Sequence, residues 1–182
     1  YKRQVAQVGL GSRAEMYWQA LTGEYSRTAK LVALCDINQG RLERVMKIIA
    51  ADGFDVPGYL ADDFSRMLCE HKPDTLVVTT KDCTHDIYIR AALEAGVDVI
   101  TEKPLTTDEV KLQGILDAVK KTGRSVRVTF NYRYSPVRAQ VKRLLREGIV
   151  GDVLSVDFHW NLDTSHGADY YRRWHRNKEN SG

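Results

Sequence analysis

Short runs of β-branched and aliphatic residues alternate with longer amphipathic stretches, the pattern of a parallel sheet covered by helices. Residues 4–8 read as a buried strand, 13–22 as a helix and 30–35 as a second strand. A second helix over 41–51 carries Leu42, Val45, Met46 and Ile49 on one face. Gly53 and Pro57 then break the pattern. A short helix over 63–70, capped by Asp62 or Asp63, leads through Lys72 and Pro73 into an apolar strand over 75–79. A helix over 85–94 stops at Gly96, and a strand follows over 97–101. A further helix over 107–121 stops at Gly123 before a strand over 125–130.

After Tyr132 the rhythm changes: a helix over 136–146, an alternating strand over 152–161 and a polar tail from Thr164 with Tyr170, Tyr171, Trp174 and His175. The alternating strand would carry Phe158 and Trp160 on one side with no evident cover. This predicts an α/β protein: a doubly wound parallel sheet over 1–130, followed by the incomplete start of an α+β second domain over 131–182, ending on Ser181 and Gly182. With 182 residues, 43% hydrophobic and 28% charged, one domain fits comfortably and two complete ones would be tight.

The net charge of +3 is spread along the chain, which gives no electrostatic reason to expect nucleic acid or a membrane surface. Small molecules are the expected partners. Cys35, Cys69 and Cys83 have no metal-type spacing, so reduced thiols, no metal and a cytoplasmic location are expected. The start at Tyr1-Lys2-Arg3 lacks both methionine and a signal-peptide pattern, and it leaves a cleaved upstream signal open.

The first chemical signal is Gly9-Leu10-Gly11-Ser12-Arg13-Ala14, a G-x-G-x-x-A turn between strand and helix. Gly9 suits the tight turn, Gly11 the approach of a pyrophosphate, and Ala14 close helix–strand packing, while the helix N-terminus offers amide donors. A ligand-free βα turn would read the same way. Asp36 closes the second strand where an acid binds adenosine ribose hydroxyls and disfavours a 2′-phosphate, so NAD is expected over NADP. Arg41 nearby argues the other way, and an aspartate there also serves as a simple cap. The second signal is Thr101-Glu102-Lys103-Pro104, which puts an acid and a lysine at the ligand-binding edge of a parallel sheet, or else a solvated ion pair at a strand end. Proline after Lys103 biases the lysine backbone to an extended form, and that peptide bond has access to the cis isomer.

Together the glycine turn, Asp36, Thr79-Thr80 with His85, Glu102-Lys103-Pro104 and Asn131-Tyr132-Arg133 resemble the Gfo/Idh/MocA oxidoreductases. That resemblance implies a Rossmann domain followed by an α/β domain whose sheet forms the substrate floor and commonly a homo-oligomer interface. It implies that Gly9, Gly11, Ser12 and Arg13 meet the pyrophosphate and Asp36 the adenosine ribose. Thr79, Thr80, Asp82 and His85 would lie along the cofactor, Glu102 on the nicotinamide ribose and Asn131 at the nicotinamide end. Lys103 would be catalytic, while Arg133, Trp174, His175 and Arg176 are candidate sugar contacts. An aromatic loop packed under its own domain is the alternative for the last three.

Ala14 departs from the third glycine common in the family. Family members are about twice this length, and the Asp and His of the acid–base machinery normally follow a Ser-Gly such as Ser181-Gly182, so this chain alone is expected to be inactive. Three functions fit the resemblance: a sugar, inositol or polyol dehydrogenase, a redox-neutral NAD-dependent glycosidase, or a non-catalytic nucleotide-binding module.

Overall fold

The structure, a computed structural model, describes residues 1–181; Gly182, the second half of the expected Ser-Gly element, lies outside the described residues. Its centre is a six-stranded, all-parallel sheet of β1 (Arg3–Val8), β2 (Ala29–Asp36), β3 (Gly58–Leu60), β4 (Thr75–Val78), β5 (Asp98–Glu102) and β6 (Val126–Thr129). The spatial order β3-β2-β1-β4-β5-β6 is that of the doubly wound Rossmann fold. Direction of winding reverses between β1 and β4, and the crevice beyond the carboxyl ends of those strands is the ligand-binding place of such sheets.

Helices α1 (Glu15–Thr22), α2 (Gln39–Ala51), α3 (Phe64–His71), α4 (His85–Glu94) and α5 (Glu109–Thr122) connect the strands. Leu42, Val45 and Ile49 of α2 are buried with Trp18 of α1 against Leu31 and Leu34, and Met46 packs beside them, as the spacing predicts. Met67, Ile89, Leu93 and Ile115 form the second core layer with Val8, Leu76 and Val78. In β2 the register slips by one residue, with Val5 opposite Leu31 but Ala6 opposite Ala33. This bulge explains why Leu31 and Leu34, three apart, join the same layer while Val32 and Ala33 both join the other.

Four expectations change. β3 occupies a stretch after Pro57 to which the pattern assigns no element, because three residues are too few for a periodic signal. Neither Asp62 nor Asp63 caps α3 through its side chain; both lie in a tight turn over Ala61–Asp63, and Asp63 pairs with Arg66 at 3.0 Å. No strand forms over 152–161 among the described residues: Phe158 and Trp160 are exposed, and Trp160 instead leans on Tyr132 with Arg138 over both rings. An alternating sequence without a partner strand has no ladder to complete. The tail, aperiodic in sequence, contains α7 (Thr164–Arg172) and α8 (Lys178–Ser181), after α6 (Pro136–Arg146) as expected. The side chain of Asp163 starts α7 by accepting from the backbone amide of His166 at 2.8 Å.

Candidate functional site

The glycine turn is built for close approach on two sides. Gly9 has φ +83°, and a Cβ there would stand 2.6 Å from the backbone of Thr79 and Thr80, so glycine lets the ends of β1 and β4 touch. Gly11 is different: its φ of −69° suits any residue, and the nearest atom to an added Cβ is Arg41 Nη1 at 3.9 Å. Among the described residues nothing demands glycine at Gly11, and the missing side chain leaves the face of the first helical turn open. Ser12 and Arg13 are exposed in that turn, whereas Ala14 is fully buried, as close helix–strand packing requires. Beneath it, the buried Gln7 amide donates to Ala14 O at 3.0 Å and to Thr79 Oγ1 at 3.3 Å.

Asp36 ends β2 with 2% of its surface exposed. One carboxylate oxygen accepts from the Leu10 amide at 2.5 Å and the other from the Asn38 amide at 2.7 Å. Arg41 Nη1 lies 3.8 Å away. A desolvated carboxylate is held at the carboxyl end of β2, and the same group braces the glycine turn.

Beyond β4 the chain turns through Asp82–Thr84 into α4. Thr79 is buried under the glycine turn and Thr80 is half-buried. Burial raises the carboxyl pKa of Asp82 above the ordinary aspartate range, against the opposing charges of His85, His175 and Lys103. His85 opens α4 and is not exposed to solvent. It is 1% exposed, with Nδ1 2.8 Å from the carbonyl of Pro104 and Nε2 3.2 Å from that of Thr80. Its ring therefore ties the loop after β4 to the loop after β5.

Glu102 is the last residue of β5, with a side chain 6% exposed. Its Oε1 accepts from Tyr17 Oη at 2.7 Å, and Thr129 Oγ1 and Arg13 Nε each stand 3.2 Å away. Arg13 thus links the glycine turn to Glu102. The next residue, Lys103, is exposed and joined to Pro104 by a cis peptide bond. Asn131 opens the turn over Asn131–Tyr134 after β6, on the same sheet edge. Arg133, by contrast, faces Lys142, Arg143 and Arg146 of α6 in a separate shallow cleft.

Of the candidate sugar contacts, Trp174 and His175 stack at 3.5 Å between ring centroids and His175 lies against Tyr170. The segment after them folds onto the loop following β4, where the Cys83 thiol donates to Asn180 Oδ1 at 3.7 Å. His175, with Trp174 stacked on it, therefore reaches the Asp82 corner, while Arg176 stays exposed. A larger cleft of about 890 Å³ opens at the opposite, amino end of the strands between Tyr1, Arg3, Lys72 and Arg124, and none of the residues above line it. Sequence reading missed Tyr17, Gln7 and Thr129. Tyr17 follows Arg13 by four residues, so both project from one helical face, and that spacing was the available signal.

A sequence profile described as an oxidoreductase family with an NAD-binding Rossmann fold, Gfo/Idh/MocA, matches residues 3–130. The chain belongs to the Gfo/Idh/MocA family. Among Gfo/Idh/MocA relatives, a Bacillus subtilis protein named "Putative oxidoreductase YteT" is 38% identical over 175 residues, 96% of this chain and 41% of that protein. An inositol 2-dehydrogenase/D-chiro-inositol 3-dehydrogenase of Lactiplantibacillus plantarum is 29% identical over 156 residues, 85% of this chain and 43% of that one. The fold is also that of scyllo-inositol dehydrogenase from Lactobacillus casei, solved with NAD(H) and scyllo-inositol, at a TM-score of 0.72 and 22% identity over 84% of this chain and 43% of that one. The chain thus spans less than half the length of the relatives it matches.

Proposed function

We propose that the protein is an oxidoreductase that exchanges hydride between a nicotinamide dinucleotide and a secondary alcohol or ketone of a sugar, inositol or related polyol. The observation that carries this reading is one sheet edge that gathers a helix N-terminus open at Gly11, the buried carboxylates Asp36 and Glu102, and the exposed Lys103. When bound, a nicotinamide dinucleotide supplies hydride transfer at a ring carbon, which no protein side chain offers.

The chain's own residues bind and orient. The first turn after Gly11 provides amide donors for a pyrophosphate, with Ser12 and Arg13 beside it. Asp36 meets the adenosine ribose, and its negative charge disfavours a 2′-phosphate, which favours NAD over NADP. Thr80 and Asp82 line the path toward Glu102, which takes the second ribose, and Asn131 stands at the far end. Lys103 hydrogen-bonds the reacting hydroxyl or carbonyl oxygen and helps move its proton. Trp174 and His175, folded toward the Asp82 corner, are positioned to meet a substrate from the other side. The small-molecule polyol class is supported by the relatives' names, and a homo-oligomer is the assembly the family resemblance favours.

In protein expressed from the whole reading frame, Lys103→Ala lowers kcat against a polyol panel by about two orders of magnitude or more, with NAD affinity changed by no more than a few-fold. Unchanged turnover would remove Lys103 from the chemistry.

A further inference from the structure

Glu102 is a charged group almost removed from water, and its neighbours share an asymmetry. The hydroxyl of Tyr17 at 2.7 Å, that of Thr129 at 3.2 Å and Arg13 Nε at 3.2 Å all converge on Oε1. They come from α1, the end of β6 and the glycine turn, so three separate elements grip one oxygen. A carboxylate's terminal torsion is soft and nearly two-fold, so a glutamate held only by its backbone would present either oxygen in a range of planes.

Proton counting singles out Tyr17. Thr129 has one hydroxyl proton and three acceptors in reach: Thr101 O at 3.1 Å, Glu102 Oε1, and Tyr17 Oη at 2.8 Å. Tyr17 has one proton too, but burial raises its pKa well above the usual phenol range, so it remains a donor, and Glu102 is its acceptor. The phenol therefore supplies the fixed hydrogen bond to Glu102, and the 2.8 Å contact between the two hydroxyls takes the threonine proton, so Thr129 donates to Tyr17 Oη and holds the phenol in place.

We propose that Tyr17 is a positioning residue: held by Thr129, it saturates Glu102 Oε1 together with Arg13, fixes the carboxylate plane and directs Oε2 to the nicotinamide-side ribose. The inference rests on the assignment of Glu102 to that ribose. A tyrosine that merely fastened α1 to the sheet would affect every ligand of the site alike; one that aims Glu102 affects only ligands carrying the second ribose.

The test measures affinities of NAD, ADP-ribose and ADP for the whole-gene protein and for Tyr17→Phe by calorimetry. The parent binds NAD and ADP-ribose more tightly than the contribution of ADP alone accounts for. Tyr17→Phe weakens NAD and ADP-ribose by about ten-fold and leaves ADP within about two-fold, as loss of one hydrogen bond to a charged group predicts. Thr129→Val shows the same contrast more weakly, and Thr129→Ser, which keeps the hydroxyl, restores parental values; this pair reads the inference equally if Tyr17→Phe fails to fold. Equal weakening of all three ligands, or of none, overturns the positioning role while leaving Glu102 on the ribose. A parent for which ADP-ribose gains nothing over ADP, with Glu102→Gln equally indifferent, overturns both.

Discussion

Ile89 on α4 and Val141 on α6 are both aliphatic residues on amphipathic helices, yet Ile89 is wholly buried and Val141 is 51% exposed. Ile89 lies against a parallel sheet that takes up the apolar stripe of each covering helix, whereas α6 has no strand to lie on among the described residues that follow it. An apolar stripe contributes to stability only where a second surface removes it from water. The cofactor-side groups stand on the part of the chain with a closed core, and the proposed substrate-side aromatics stand on the part without one. On the proposed reading, precision in holding a dinucleotide would be built into the sheet, and recognition of the substrate would be layered on from outside it.

Stability measurements break or sharpen this contrast most strongly. Ile89→Ala costs about 2–5 kcal/mol by denaturant unfolding, since it removes buried methyl groups and leaves a cavity. Val141→Ala costs less than about 0.5 kcal/mol, as for a surface change. Comparable costs would show that α6 is covered after all. A smaller effect concerns binding: Asp36→Ala weakens NAD and narrows its advantage over NADP, because the repelling carboxylate goes while Arg41, 3.8 Å from it, stays. Titrations of parent and variant check it, and equal parental affinities for the two dinucleotides would defeat the charge argument.

The smallest effect compares the two edges of the sheet through pH. Asp82, at the carboxyl edge, has a raised folded pKa through burial, so the unfolded chain ionises first and stability falls as pH rises from the ordinary aspartate value to the folded one. Asp98, at the amino edge, has a lowered pKa because the Ser125 amide and hydroxyl donate to its carboxylate, so its stabilisation is present above the ordinary value and lost as pH falls from there through the lowered folded one. Relative to the parent, Asp82→Asn should gain stability with rising pH and Asp98→Asn should lose it. Unfolding across the acidic range reads both, and parallel difference curves would contradict the assignment.

Much of the fold was legible because local chemistry repeats it. The α4 and α6 helices run over the residues their apolar spacing predicts, with Gly96 just past the end of α4 and Pro136 at the start of α6. Gly9, Asp36 and Glu102 were legible because each sits at a strand end with a chemical reason to be there. The misread stretch over 152–161 has the right alternation but no partner strand among the described residues, and pairing is not a property of one segment. Tyr17 was invisible for a similar reason: its acceptor lies 85 residues away, and only the sheet brings them together. The burial of His85 was not legible either, because the loop carrying Pro104 covers it only in the fold.

That imidazole, held between the carbonyls of Thr80 and Pro104, has a genetic consequence. A substitution that shifts the loop after β4 is transmitted to the backbone beside Lys103, and the reverse holds too. Changes in the two loops are therefore epistatic, and sequence can drift in one only along paths that the other permits.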